Sequence, residues 1–230
     1  MRRLLIIPAR GGSKRIKNKN IKIFNYKPII YYPLKAAKKS KLFDKIHVST
    51  ESKKIVSIIN KIGFKPDFLR KKKLANDKTD INDVINYVIK KFNNLKIIFD
   101  EVWCIYPCSP LINENDLIKI NYFFHKNKNS LMTISEFPAP IYWALKKDKK
   151  KILNPFFKSK INIPSNNMKK LYYDNGCIII LKKKDFLKKF NKIKFIGYEM
   201  PIYKSVDIDN INDWKLALDF YKMLRKKKKI

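Results

Sequence analysis

The sequence has few cysteines, histidines and glycines. Of its 230 residues, three are Cys, two are His and five are Gly. An odd cysteine count without Cys-x-x-Cys spacing indicates neither a disulfide framework nor a thiolate zinc site, so we expect a reducing compartment. No window reaches the roughly 18 uncharged apolar residues of a membrane span, and the apolar start at 4–7 is shorter than a signal-peptide core of about 7–15 residues. These absences predict a cytoplasmic protein without a membrane partner.

Acidic residues are also scarce. The 19 Asp and Glu residues stand against 53 Lys and Arg, which gives a formal net charge of +34. That charge alone would suggest a nucleic-acid partner. However, 47 of the basic residues are Lys, and Ile (35) and Asn (22) are abundant too. All three have A/T-rich codons, so a coding bias would raise them together. Because the lysine runs are scattered along the chain, we expect no nucleic-acid partner and keep nucleic-acid binding as an alternative.

Hydrophobic side chains are plentiful enough for a core. They make up 45% of the chain, which predicts one domain over residues 1–230. The uninterrupted apolar run at 4–8 is typical of a strand buried on both faces. Similar runs predict strands at 46–48, 64–69, 101–106, 131–135, 177–181 and 195–200, and helical spacing predicts helices at 28–39, 51–61, 80–92, 113–125 and 211–224.

This alternation predicts the α/β class, with a doubly wound, mostly parallel sheet flanked by helices. Ligands of such sheets bind at the carboxyl ends of the strands. The proline-rich region 137–175 interrupts the alternation, so we expect a β-rich excursion that acts as a lid or as a dimer contact. The basic tail at 225–229 is predicted to be frayed.

A basic, glycine-containing turn follows the first predicted strand. Adjacent Gly11 and Gly12 let the backbone approach a ligand closely, and their amides can form an anion-binding nest. Arg10, Lys14 and Arg15 add positive charge in the same turn. A polyphosphate is the natural partner, although a basic surface turn is the alternative. The spacing differs from both the dinucleotide fingerprint and the P-loop, so neither label applies.

Two carboxylates near the other end of the chain have their own physical interpretation. In an extended segment, Asp207 and Asp209 project to the same side and can face one hard cation. Magnesium prefers oxygen ligands and keeps substrate phosphates in its shell. The alternative is that Asp209 caps the helix that begins near Asn210.

Six segments, in order, resemble motifs of the cytidylyltransferases that activate acidic sugars, the CMP-sialic acid synthetases and their relatives. Two of them differ from the usual pattern, with Glu51 in place of Asp and Cys108 in place of Thr. The segments lie at 8–21, 48–52, 68–77, 106–111, 175–178 and 205–209.

The resemblance implies a nucleotide-diphospho-sugar transferase-like fold and the transfer of CMP from CTP to the anomeric hydroxyl of a nine-carbon sugar acid, with release of pyrophosphate. It also implies Mg²⁺ as cofactor and a homodimer. The implied catalytic residues are Arg10, Lys19 and Asp209, and the implied metal ligands are Asp207 and Asp209. The implied nucleotide-binding residues are Ala9, Arg10, Gly11, Gly12, Ser13, Lys19, Asn20, Arg70, Asp77 and Ser109.

The acceptor sugar follows from finer likenesses. The segment 133–146, with its Glu-Phe-Pro-Ala-Pro-Ile core, and the segment 172–174 resemble the pseudaminic acid branch. The Asn-Gly-Cys-Ile segment at 175–178 instead resembles the sialic and legionaminic acid branches. Pseudaminic acid is therefore favoured, with N-acetylneuraminic or legionaminic acid as alternatives. An inactive structural homologue is the alternative of another class.

Overall fold

The structure, a computed structural model, describes residues 1–226 and is built around one six-stranded sheet. The strand order is β10-β6-β9-β5-β1-β4, and two short hairpins, β2-β3 and β7-β8, lie outside it. The strands are β1 (Arg3–Pro8), β2 (Ile23–Phe24), β3 (Lys27–Pro28), β4 (Lys45–Ser49), β5 (Glu101–Ile105), β6 (Ser130–Glu136), β7 (Leu145–Lys147), β8 (Leu153–Pro155), β9 (Tyr172–Lys182) and β10 (Phe195–Glu199). The helices are α1 (Tyr31–Ser40), α2 (Lys53–Lys61), α3 (Ile81–Asn94), α4 (Glu114–His125) and α5 (Ile211–Lys226).

Strand β1 lies inside the sheet and pairs in parallel with β4 and β5. Its residues Leu5 and Ile7 pack in one apolar cluster with residues of α1, α2 and α4. Leu4 and Ile6 point to the opposite face and pack against α3. Burial on both faces explains the uninterrupted apolar run, and the predicted α/β class with a mostly parallel sheet is confirmed.

Strand β9 is the exception to the parallel order. It runs antiparallel to both β5 and β6, with a register shift opposite residues 132–134 of β6. It also begins at Tyr172, so the last residues of the predicted 137–175 excursion belong to the central sheet. The prediction at 177–181 identified only the fully buried half of this strand.

Residues 64–69 do not form the predicted strand. Strand β4 is the edge of the sheet, and Pro66 has no N–H to donate to it. Side chains attach the segment instead: Asp67 accepts a hydrogen bond from Lys45 at 2.7 Å, and the Phe68 ring lies 4.3 Å from the His47 ring. The apolar content of the segment reflects this packing.

A third apolar cluster fixes α5 to the rest of the molecule. Phe24 makes edge-to-face contacts with Tyr32, Trp214 and Tyr221, at centroid distances of 5.5, 5.5 and 5.6 Å. Helix α5 therefore lies against the β2-β3 hairpin and α1, and Asp209, which precedes the helix, contacts Arg15 and Lys19 of the loop that follows β1. Of the tail predicted to be frayed, Arg225 and Lys226 are helical and 227–229 lie outside the described residues. Within residues 1–226, no helix is long and apolar enough to cross a membrane.

Candidate active site

A cavity of about 290 Å³ opens at the carboxyl ends of β1 and β5, where the sequence predicts a ligand. The loop after β1, the segment before α3, the loop after β5 and the segment before α5 contribute to its walls. The predicted residues that line it are Arg10, Ser13, Lys19, Asn20, Arg70, Asp77 and Asp207. The two ends of the chain thus share one cavity.

The glycine turn is held against the end of β4. The Gly11 amide donates to Glu51 Oε1 at 2.7 Å. A Cβ on Gly11 would lie 3.0 Å from Ser52 Cβ, whereas a Cβ on Gly12 would have nothing within 4 Å. Binding of a triphosphate through the Gly11 amide would therefore require Glu51 to release it, and the predicted role of both amides stays a prediction.

Two cations of this turn share one carboxylate. Arg10 Nη1 lies 2.6 Å from one oxygen of Asp77, and Lys14 Nζ lies 2.6 Å from the other. The Lys14 ammonium and the Arg10 guanidinium hold the pKa of Asp77 below its ordinary value. Asp77 thus orients the cations, and its predicted nucleotide contact stays a prediction.

The two predicted metal ligands lie beside two further cations. Asp209 contacts Arg15 at 2.8 Å and Lys19 at 3.3 Å, while Lys19 also donates to the Ile208 carbonyl at 2.6 Å. Partial exclusion of water and the neighbouring Asp209 carboxylate raise the pKa of Asp207 above its ordinary value. The Asp209 carboxylate is therefore close enough to disfavour ionisation of Asp207.

The alternative role of Asp209 as a helix cap is wrong. Asn210 Oδ1 accepts the amides of Asn212 at 2.8 Å and Asp213 at 3.1 Å, so Asn210 caps α5. The Asp213 carboxylate accepts the amides of Asp209 and Asn210 in return, each at 2.9 Å. The side chain of Asp209 therefore contacts Arg15 and Lys19 and not the helix amides.

Arg70 is the most buried of the predicted cations, with 6% of its surface exposed. Its Nη2 donates to Glu51 Oε2 at 3.1 Å, and its backbone amide donates to the Thr50 carbonyl at 2.8 Å. Burial lowers the pKa of Arg70, and the Glu51 carboxylate opposes that shift. The guanidinium is consequently fixed at the cavity wall by the end of β4.

The remaining predicted residues divide into two groups. Asn20 lies at the cavity, where its amide donates to the Arg10 carbonyl at 2.9 Å and its Oδ1 faces Cys108 Sγ at 3.4 Å. Burial raises the pKa of the Cys108 thiol to about 12, so it stays protonated near neutral pH. Ala9 and Ser109 are buried and are not among the residues that line the cavity.

Sequence reasoning assigned no role to several cavity residues although it quoted the motifs that contain them, and Tyr106 and Gly176 are two examples. Tyr106 opens the motif that follows β5, and Gly176 lies within the Asn-Gly motif of β9. Gly176 has φ +64°, and a Cβ there would lie 4.0 Å from Asp207 Cγ. Its place in the left-handed region is the physical reason for glycine beside the carboxylate.

The sequence model of the family described as "Cytidylyltransferase" matches residues 4–230. The chain belongs to this family. The family resemblance inferred from the six motifs is thus confirmed. A relative from Campylobacter jejuni subsp. jejuni named "Pseudaminic acid cytidylyltransferase" is 33% identical over 230 residues, covering 97% of each chain. A relative from Legionella pneumophila named "CMP-N,N'-diacetyllegionaminic acid synthase" is 30% identical and covers 94% of this chain and 95% of its own.

A solved structure confirms the cytidylyltransferase fold. The CMP:2-keto-3-deoxy-manno-octonic acid synthetase, solved in complex with CTP, superposes with a TM-score of 0.69. The match covers 97% of this chain and 99% of the synthetase, at 14% identity. The predicted nucleotide-diphospho-sugar transferase-like architecture is confirmed by this likeness.

Proposed function

We propose that this cytidylyltransferase transfers CMP from CTP to the anomeric hydroxyl of a nonulosonic acid and releases pyrophosphate. One observation carries the proposal. Arg10 and Lys19 from the segment after β1 and Arg70 from the segment before α3 line one cavity together with Asp207. A nucleoside triphosphate offers several negative charges for such a cluster of cations.

The chemistry needs little beyond positioning and charge. The acceptor oxygen forms a bond to the α-phosphorus of CTP while the bond from that phosphorus to the bridging oxygen of the pyrophosphate breaks. The leaving pyrophosphate gains negative charge, which Arg10, Arg15 and Lys19 can stabilise at the turn after β1. The proton of the acceptor hydroxyl passes to a carboxylate oxygen of Asp207 or Asp209, or to water.

A magnesium ion is part of the proposal. Asp207 and Asp209 would hold it, because the Asp209 carboxylate disfavours ionisation of Asp207 and a divalent cation would offset that repulsion. Within residues 1–226 no group of three or more His, Cys, Asp or Glu side chains could hold a metal, so phosphate oxygens of the substrate would complete the shell. When bound, the ion would supply positive charge to those oxygens.

Pseudaminic acid is the acceptor we favour. The segment 133–146 carries the likeness to that branch, and it runs from β6 into the excursion. Glu136, at the end of β6, forms an ion pair with Lys170 at 2.8 Å and so joins the two sides of the excursion. N-acetylneuraminic and legionaminic acids remain the alternative acceptors, and the cytoplasm remains the proposed compartment.

We also propose a homodimer in which the excursion contacts a second copy. Its hairpin exposes apolar side chains to solvent. Leu145, Ile152, Leu153 and Phe156 are 50%, 55%, 56% and 67% exposed. A patch of this kind is typical of a protein contact.

A pyrophosphate-release assay tests the function. CTP and magnesium are mixed with pseudaminic, legionaminic or N-acetylneuraminic acid, and each component is omitted in turn. We expect release only with all components present, and fastest with pseudaminic acid. Asp209→Ala should reduce turnover at least 100-fold while the protein stays folded, since it removes a proposed metal ligand; about 2.7 kcal/mol of lost transition-state stabilisation corresponds to that factor. Absence of release with all three acids would refute the proposal.

A further inference from the structure

Glu51 joins two segments that both reach the cavity. Its carboxylate accepts the Gly11 amide at 2.7 Å through Oε1 and the Arg70 guanidinium at 3.1 Å through Oε2. The Glu51 side chain is 15% exposed and is not itself among the residues that line the cavity. It therefore contacts Gly11 and Arg70 from the side that faces away from the cavity.

The fit around this carboxylate is close. A Cβ on Gly11 would lie 3.2 Å from Glu51 Oε1, so a side chain there would require Glu51 to move by a few tenths of an ångström. On the other side, the Arg70 amide donates to the Thr50 carbonyl at 2.8 Å. The end of β4 thus fixes both the turn that carries Arg10 and the loop that carries Arg70.

Charge gives the same residue a second role. Burial lowers the pKa of Arg70, the Glu51 carboxylate opposes that shift, and the charge of Arg10 is near enough to add to it. Without a ligand, the Glu51 carboxylate offsets the repulsion between the two guanidinium groups. A charged hydrogen bond in a water-poor setting also limits the side-chain freedom of Arg70.

We propose that Glu51 is a positioning residue that sets the spacing of Arg10 and Arg70 before the triphosphate binds. The inference rests on the proposed function, because it assigns both arginines to CTP. Glu51 acts on affinity: once CTP is bound, its phosphates hold the same two cations in place, so the chemical step proceeds at its normal rate.

Kinetics of Glu51→Gln test this role. The amide keeps an acceptor for one of the two donors and loses the charge that holds Arg70. We expect the KM for CTP to rise about tenfold or more, while kcat at saturating CTP stays within about twofold of wild type. Damage to the fold would instead reduce the fraction of enzyme that is active, which lowers the apparent kcat and leaves KM unchanged. Glu199→Gln, on the edge strand β10, is the matched control and should retain both constants.

A double-mutant cycle identifies the partner. If Glu51 acts through Arg70, Glu51→Gln should raise the KM of an Arg70→Ala enzyme far less than that of wild type. Equal increases in both backgrounds would overturn the inference, and so would an unchanged KM in Glu51→Gln alone. If wild type neither binds CTP in calorimetry nor releases pyrophosphate, the proposed function fails and the inference fails with it.

Discussion

Gly11 and Gly12 are neighbours in the sequence with different surroundings in the structure. Gly11 lies against Ser52 and Glu51, and Gly12 faces open space. The sequence could predict a close backbone approach at this turn, but not which glycine makes it. The partner of Gly11 is 40 residues away, at the end of another strand.

Alanine at each glycine separates the two roles. Gly11→Ala places a Cβ 3.0 Å from Ser52 Cβ, which should reduce the free energy of unfolding by about 1–3 kcal/mol and raise the KM for CTP. Gly12→Ala meets no atom within 4 Å and should leave both quantities nearly unchanged, with at most about 1 kcal/mol of added stability. Urea denaturation and pyrophosphate release measure the two effects. Similar results for both variants would contradict the close contact at Gly11.

Residue identity alone also left the role of Asp209 open. Its neighbour Asn210 is an equally good helix cap by type, and only the hydrogen bonds to Asn212 and Asp213 decide between them. The convergence of Asp207 and Asp209 with Arg15 and Lys19 depends on how α5 folds back over the molecule. Sequence order could predict this convergence only through the family resemblance.

At the scale of elements, the start of α5 sets the direction of the segment that carries both aspartates. Asn210→Ala removes the acceptor of two amides and should cost about 0.5–2 kcal/mol of stability. Asn212→Ala, at an exposed position in the first turn of the same helix, should cost less than about 0.5 kcal/mol. Thermal unfolding of the two variants checks this difference. Equal losses would show that Asn210 is not the cap.

Local sequence predicted some elements of the fold better than others. The run of β1 and the helical spacing of α3 are strong because each reflects burial along the whole element. The segment 64–69 carries similar apolar residues, but it packs beside the edge strand β4 through side chains. The direction of β9 in the sheet could not be predicted either. Its sequence is typical of a buried strand, and its antiparallel pairing with β5 and β6 depends on the excursion before it.

At the scale of the whole molecule, the rare arginines are more informative than the many lysines. Of six Arg residues in the sequence, Arg10, Arg15 and Arg70 line one cavity. Lysine shares A/T-rich codons with Ile and Asn, and a coding bias would raise all three together, so a lysine on the surface says little about a ligand. Arginine offers a planar fork that matches phosphate oxygens, which makes its concentration at one place a functional signal.

The excursion should decide the oligomeric state. A stable interface buries about 800 Å² on each partner, and the exposed apolar hairpin of the excursion would supply the centre of the proposed one. The mass of wild type measured by sedimentation should therefore be twice the 27.4 kDa of one chain. The double variant Leu153→Asn/Phe156→Asn keeps the net charge and changes two side chains that are 56% and 67% exposed, so its fold should be retained while the dimer dissociates.

Ile118→Asn is the control for the loss of exposed apolar surface, because Ile118 is 47% exposed on α4, outside the excursion. We expect this variant to remain dimeric. Analytical ultracentrifugation at micromolar protein measures all three proteins, with circular dichroism to confirm folding. A monomeric wild type would exclude the dimer, and a dimeric Leu153→Asn/Phe156→Asn variant would assign the contact to another face. If the monomeric variant released pyrophosphate at the wild-type rate, this would further show that each copy holds a complete site.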